Sequence, residues 1–151
     1  MTFPKLTVRA FDPNDTDRLL DIWLAASRLG HPFLGEDTLL AQRAVVRDVY
    51  LPRAENHVAL CDGQPVGFIG LLDCFIGGLF VDPAYHRCGV GRALVEHVSQ
   101  QKPKLELEVY AANKLAPDFY RKLGFRDVSR RCHDDKGRPF ELILMRRDGG
   151  I

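Results

Sequence analysis

Apolar positions along the chain recur with a period of two in some stretches and close to 3.6 in others. Leu6-Thr7-Val8-Arg9-Ala10 alternates apolar and polar residues and reads as a strand. Asp12-Pro13-Asn14-Asp15 is a turn rich in helix-capping residues. Leu19, Ile22, Trp23, Ala26 and Leu29 then fall on one helical face, with Gly30 as the expected stop. His31-Pro32-Phe33-Leu34-Gly35 reads as a loop. A second helix is expected from about Glu36 to Tyr50, ending before Pro52 because a proline drives its predecessor out of helical geometry.

The pattern then turns to strands. His57 to Cys61 and Pro65 to Leu72 flank Asp62-Gly63-Gln64, a hairpin signal, and Phe75 to Val81 forms a third strand closed by Asp82-Pro83. Gly89 to Lys102 reads as a helix with Leu94, Val95 and Val98 on one face, ended by Pro103. Leu105-Glu106-Leu107-Glu108-Val109-Tyr110 alternates as a strand, and Ala116 to Leu123 is a short helix stopped by Gly124. Phe125 to Arg131 and Phe140 to Met145 are final strands across Asp134-Asp135-Lys136-Gly137. The order β-α-α-β-β-β-α-β-α-β-β predicts an α/β (α+β) layer of helices on a mixed sheet.

With 151 residues, 46% hydrophobic and 27% charged, the chain has the composition of one globular domain, expected to span residues 1–151. No apolar run approaches the roughly 20 residues of a membrane helix. Met1-Thr2-Phe3-Pro4-Lys5 lacks the features of a secretory leader. A net charge of +1 gives no reason to expect nucleic acid or an anionic membrane as partner. Cys61, Cys74, Cys88 and Cys132 contain no CxxC pair, so neither a metal site nor a disulfide framework is expected. Scattered reduced cysteines fit a cytoplasmic protein.

The chemistry concentrates in Leu79-Phe80-Val81-Asp82-Pro83-Ala84-Tyr85-His86-Arg87-Cys88-Gly89-Val90-Gly91-Arg92. An apolar strand enters a turn with two glycines where a helix begins. A helix N-terminus leaves backbone N–H groups unpaired and carries positive partial charge. Glycines let a phosphate approach that backbone, and His86, Arg87 and Arg92 add donors. The stretch reads as an anion site suited to a pyrophosphate; a plain strand-to-helix turn is the bland alternative. Neither a Walker A loop nor a dinucleotide fingerprint fits the spacing, since Leu94 stands where the third glycine belongs.

His86-Arg87-Cys88-Gly89-Val90-Gly91 resembles the acetyl-CoA-binding motif of the GNAT superfamily of N-acetyltransferases, [Gln/Arg]-x-x-Gly-x-[Gly/Ala] at a helix start. His86 departs from it in place of Gln or Arg. Downstream, Asn113-Lys114-Leu115-Ala116-Pro117-Asp118-Phe119-Tyr120-Arg121-Lys122-Leu123-Gly124-Phe125 resembles the family's N-x-x-A-x-x-F-Y-x-K-x-G-F segment. The runs Cys88 to Arg92 and His31-Pro32-Phe33-Leu34 are similar to small bacterial single-domain members. The resemblance implies a mostly antiparallel sheet flanked by about four helices. It also implies acetyl-CoA as acyl donor, an amine acceptor (protein lysine, N-terminus or small molecule), and no metal.

The same resemblance assigns roles. Tyr120 is the candidate acid for the departing thiolate; packing alone is its alternative. Leu79, Phe80 and Val81 offer backbone to the pantetheine and thioester, with Asn113 and Phe119 nearby. His86, Arg87, Cys88, Gly89, Val90, Gly91 and Arg92 receive the pyrophosphate. A lysine amine is mostly protonated at neutral pH, so its proton must leave. Glu108 and Glu106 share one strand face and are base candidates or solvent-facing carboxylates. Asp73 is another candidate, and His31 is the candidate whose ordinary pKa lies nearest neutrality. A non-catalytic acyl-CoA-binding sensor on the same fold is the competing function. Monomer and homodimer are both open; Phe140 to Met145 is apolar enough for exchange between subunits.

Overall fold

The structure, a computed structural model, describes residues 5–148. Seven strands form one sheet in the order β1-β2-β3-β4-β5-β7-β6. They are β1 (Leu6–Ala10), β2 (Glu55–Cys61), β3 (Gln64–Leu72), β4 (Phe75–Val81), β5 (Lys104–Tyr110), β6 (Arg126–Arg131) and β7 (Leu142–Asp148). Every neighbouring pair is antiparallel except β4 and β5. The hairpin between β2 and β3 closes on Asp62 and Gly63, both at positive φ (49° and 85°), as a two-residue turn of the primed type requires.

Helices α1 (Thr16–Gly30), α2 (Glu36–Val45) and the single turn α3 (Leu51–Arg53) carry Leu19, Leu20, Ile22, Trp23, Leu39 and Leu51 into a core shared with Val58 and Phe68. Helix α4 (Val90–Ser99) and helix α5 (Ala116–Lys122) bring Val90, Leu94, Val95, Val98 and Tyr120 into a second core with Ile69, Ile76, Leu105, Leu107 and Val109. Along β5 the alternation divides the faces as the sequence predicts: Leu105, Leu107 and Val109 are buried in that second core, while Glu106, Glu108 and Tyr110 lie on the other side.

The second helical segment does not stop before Pro52. A π turn at Val46–Tyr50 joins α2 to α3, with Pro52 in the first turn of α3. The early turn of a helix has N–H groups without intrahelical partners, so proline costs nothing there. Gly30 closes α1 without left-handed geometry; a Cβ there would meet Asn113 Nδ2 at 2.9 Å, so close packing accounts for the glycine. The last strand begins at Leu142, not Phe140, and β7 is hydrogen-bonded on both sides, to β5 and β6. The apolar last strand, open on its sequence to exchange between subunits, pairs on both edges within its own chain.

One feature of the sheet positions the site. β4 and β5 pair only through Phe75 with Glu106 and Ile76 with Leu107. Beyond that point they diverge, leaving the β5-facing backbone of residues 77–81 without a strand partner. The register between β3 and β4 shifts at the same place, so Gly77 is an extra, bulged residue between Ile76 and Gly78.

Candidate active site

Leu79, Phe80 and Val81 lie on the diverging half of β4. Leu79 and Val81 pack against the α4 core, and Phe80 turns to the other face, edge-on to Trp23 at 6.1 Å and against Phe68 at 5.4 Å. Their side chains are structural; their backbone groups toward β5 are what a ligand can use. An amide-containing chain laid into the splay would meet a strand edge ready to donate and accept.

From Val81 the chain turns through Asp82, whose carboxylate accepts from Ala84 N and from Arg18, into the loop before α4. Arg87 and Gly89 both have positive φ, 64° and 83°. This conformation, not crowding, favours glycine at 89, since a Cβ there would meet nothing. Gly91 has a different reason: a Cβ there would sit 2.9 Å from the Phe119 ring, so it lets α5 approach α4. The first intrahelical bond runs from Ala93 N to Gly89 O, which leaves the N–H groups of Val90, Gly91 and Arg92 pointing out of the helix end. Val90 itself is buried, and Cys88 is exposed with its thiol near the His86 carbonyl.

Charge marks the same place. Among the described arginines only Arg53, Arg87 and Arg92 make no ion pair. Two of those three flank the open helix end. His86 does not join them as expected. Its Nε2 turns back on the strand and lies 3.2 Å from the Val81 carbonyl oxygen.

Tyr120 projects from α5 and is 7% exposed, edge-on to Phe119 and Phe125. Burial, then the neighbouring Tyr50, push its phenol above the ordinary tyrosine range. It stays protonated at neutral pH and can donate a proton. Asn113 caps α5: its Oδ1 accepts from Leu115 N at 3.2 Å and Ala116 N at 3.1 Å. Its amide nitrogen makes no hydrogen bond among the described residues and faces the end of α1.

On the opposite face, beyond the last β4–β5 pair, lies an aromatic cluster. His31 stands edge-on to Tyr110 at 5.2 Å; Phe33 contacts Tyr110 at 5.2 Å and Phe140 at 5.0 Å. Burial lowers the His31 imidazole to about 4, so it does not titrate near neutrality, contrary to the expectation from its residue type. The Tyr110 hydroxyl donates to Asp134 at 2.8 Å. Burial raises Tyr110 most, and with the Asp134 bond it reaches about 12. Burial pushes Asp134 up, but hydrogen bonds from Arg138, Tyr110 and the Lys136 backbone outweigh it and hold the carboxylate at about 2.

The carboxylate candidates are differently placed. Glu108 accepts from Arg131 through both oxygens, at 2.7 and 3.0 Å. Glu106 is held by Lys104 and Arg146, the Lys104 bond contributing most to its lowered pKa. Asp73 occupies the hairpin between β3 and β4 at φ 55°, at the closed end of the splay and away from the site. Tyr110, Asp134, Phe140 and Tyr50 escaped the sequence reading. Tyr110 was within reach, since it continues the Glu106–Glu108 face; for the others no local pattern exists.

The Acetyltransferase (GNAT) domain family model matches residues 52–127. Peptidyl-lysine N-acetyltransferase YiaC of Escherichia coli K12 is 35% identical over 133 residues, 87% of this chain and 91% of its own. Peptidyl-lysine N-acetyltransferase YjaB of the same strain is 35% identical over 141 residues, 93% of this chain and 95% of its own. The solution structure of apo-form Escherichia coli YjaB superposes with a TM-score of 0.87 at 34% identity, covering 97% of this chain and 99% of that one. The fold is also that of the PaiA N-acetyltransferase from Thermoplasma acidophilum in complex with coenzyme A, with a TM-score of 0.77 at 15% identity over 95% of this chain and 99% of that one. The strand splay, the open helix end with its unpaired arginines and these likenesses agree: the chain belongs to the GNAT family and is an acetyl-CoA-dependent N-acetyltransferase.

Proposed function

We propose that this acetyltransferase modifies lysine side chains of proteins or peptides, with the two faces of the β4–β5 splay taking donor and acceptor. The observation that carries the reading is the splay itself, with a buried, protonated Tyr120 on one face and an aromatic mouth on the other. The names of its 35%-identical relatives support lysine as acceptor. So does the mouth, whose rings suit the aliphatic stem of a lysine. With four free cysteines, the chain fits the reducing cytoplasm, and one chain supplies the whole site, so a monomer suffices.

In this mechanism the backbone of Leu79–Val81 aligns the pantetheine arm. The N–H groups of Val90, Gly91 and Arg92, with the Arg87 and Arg92 guanidiniums, hold the pyrophosphate. The neutral amine attacks the thioester carbonyl carbon to form a tetrahedral intermediate. The C–S bond then breaks, and the departing sulfur takes the Tyr120 proton while the new amide nitrogen loses its own to water. Solvent reprotonates Tyr120. Glu108, tied through both oxygens to Arg131, serves as a sheet ion pair and not as the base.

The test is mass spectrometry of a lysine peptide with a blocked N-terminus after incubation with acetyl-CoA. Acetylation of the lysine, absent from a Lys→Arg peptide, is expected. Acetylation confined to peptides with a free N-terminus would overturn the lysine assignment.

A further inference from the structure

Tyr50 ends the π turn and has no role in the mechanism above. Its hydroxyl lies over two strand glycines: a Cβ on Gly70 of β3 or on Gly77 of β4 would come within 2.4 Å of that oxygen. The notch exists because both residues are glycine, and glycine inside a strand marks close approach of another group. The hydroxyl is buried and finds no hydrogen-bond partner among the described residues. The same is true of Asn56 Oδ1, which would be 2.6 Å from a Cβ on Gly70. The Asn56 amide nitrogen donates to the Leu51 and Ala54 carbonyls at 3.0 and 3.1 Å, which fixes Oδ1 as the end facing the notch. Buried polar atoms are nearly always paired, so two unpartnered polar atoms beside one glycine call for a polar group to pair with.

The notch lies where the chemistry is. Gly77 is the bulged residue and directly follows Ile76, the last β4 residue paired with β5. Tyr50 reaches this apex from the α2 side of the sheet, whereas Tyr120 reaches it from the α5 side. The two phenols are near enough that Tyr50 raises Tyr120 further, after burial. Burial also drives Tyr50 above the ordinary phenol range. It remains a neutral hydroxyl at physiological pH, a donor and an acceptor but not a base.

We propose that Tyr50 binds the acceptor amine: its hydroxyl oxygen, unpartnered in the fold, accepts an N–H of the incoming primary amine at the apex of the splay, beside the unpartnered Asn56 Oδ1. This rests on the reading of the splay as the transfer site. Holding one N–H leaves the amine lone pair to be aimed at the thioester carbon, a gain in orientation without any transfer of a proton to Tyr50.

The experiment compares wild type and Tyr50→Phe with two acceptors, hydroxylamine and a blocked lysine peptide, after subtracting the uncatalysed reaction. Hydroxylamine has the N–H group but needs no side-chain pocket. For both acceptors kcat/KM is expected to fall about tenfold, the worth of one hydrogen bond. The loss should lie in the acceptor KM, with acetyl-CoA Kd within twofold of wild type and Tm not lowered. Hydroxylamine transfer within twofold of wild type would overturn the proposal. So would an equal loss of acetyl-CoA affinity, which would make Tyr50 a support of the donor site. Gly77→Ala, whose methyl group would displace the hydroxyl, should reproduce the loss and add nothing in the double variant; losses that multiply would overturn the proposal. A wild type that acetylates hydroxylamine but not the peptide sinks the lysine assignment and leaves Tyr50 fully tested. Transfer to neither amine overturns both.

Discussion

In the proposed mechanism the donor side of the splay is made of backbone, and the acceptor side is made of side chains. On the donor side a strand edge, a left-handed glycine at 89 and three unpaired helix N–H groups present dipoles that nothing in the folded chain competes for. Such groups are fixed by the fold, so they need little rearrangement when a ligand arrives. On the acceptor side, His31, Phe33, Tyr110 and Phe140 meet as rings, and Tyr110 is held by Asp134. A backbone cradle accepts one donor shape whatever the side chains are. A side-chain wall can be changed residue by residue to suit a different amine. On this division the fold keeps its donor while the acceptor side is free to change.

The strongest way to test this division is Tyr120→Phe. General acid catalysis is worth about 10²–10⁴-fold, so kcat should drop in that range while acetyl-CoA Kd stays within a few-fold. Stopped-flow thiol release with parallel calorimetry separates the two, and an unchanged kcat would reduce Tyr120 to packing. Next in size is the double variant Arg87→Ala with Arg92→Ala. Charge-assisted bonds are about twice as strong as neutral ones, so acetyl-CoA Kd should rise roughly 30-fold. The wild-type Kd should also weaken with salt, whereas the double variant should lose most of that slope.

A smaller effect sharpens the acceptor side. An unfolded imidazole protonates near pH 6.5, whereas His31 in the fold resists until about 4. The unfolded chain therefore takes up the proton first, and stability falls as pH drops from 6.5 toward 4. His31→Phe should remove about 2 kcal/mol of that decline, measured as urea midpoints at pH 7 and pH 4.5. Equal declines in both proteins would show that the ring is not buried as described. Smallest is Glu108→Gln, expected to change kcat less than about fivefold, since both its oxygens are held by Arg131, whereas a general base would be worth about 10²-fold or more. A loss above that would restore Glu108 as the base.

This contrast in materials also explains what could be read before the structure. The donor side falls within two continuous stretches, Leu79–Arg92 and Asn113–Phe125, where spacing and glycine placement carry the geometry. Even there Gly91 had two possible reasons, and only the Phe119 ring beneath it separates them. The contact of the His86 ring with the Val81 carbonyl is likewise invisible in the spacing. The aromatic cluster draws on residues 31, 33, 110, 134 and 140, far apart in sequence, and only the folded chain brings them together. The element order was legible from periodicity, but the run of helix past Pro52 was not, because the π turn that places proline in a first turn leaves no mark in the pattern.

The central claim is that donor and acceptor enter the splay from opposite faces. Amide chemical shifts of the labelled protein, titrated with acetyl-CoA and then with a blocked lysine peptide in the presence of CoA, test it most directly. The account predicts that acetyl-CoA moves the amides of Leu79–Val81 and Gly89–Arg92, and that the peptide then moves His31, Phe33 and Tyr110 while leaving the α4 end unchanged. Acetyl-CoA shifts confined to the His31–Tyr110 cluster, or peptide shifts at Gly89–Arg92, would contradict it.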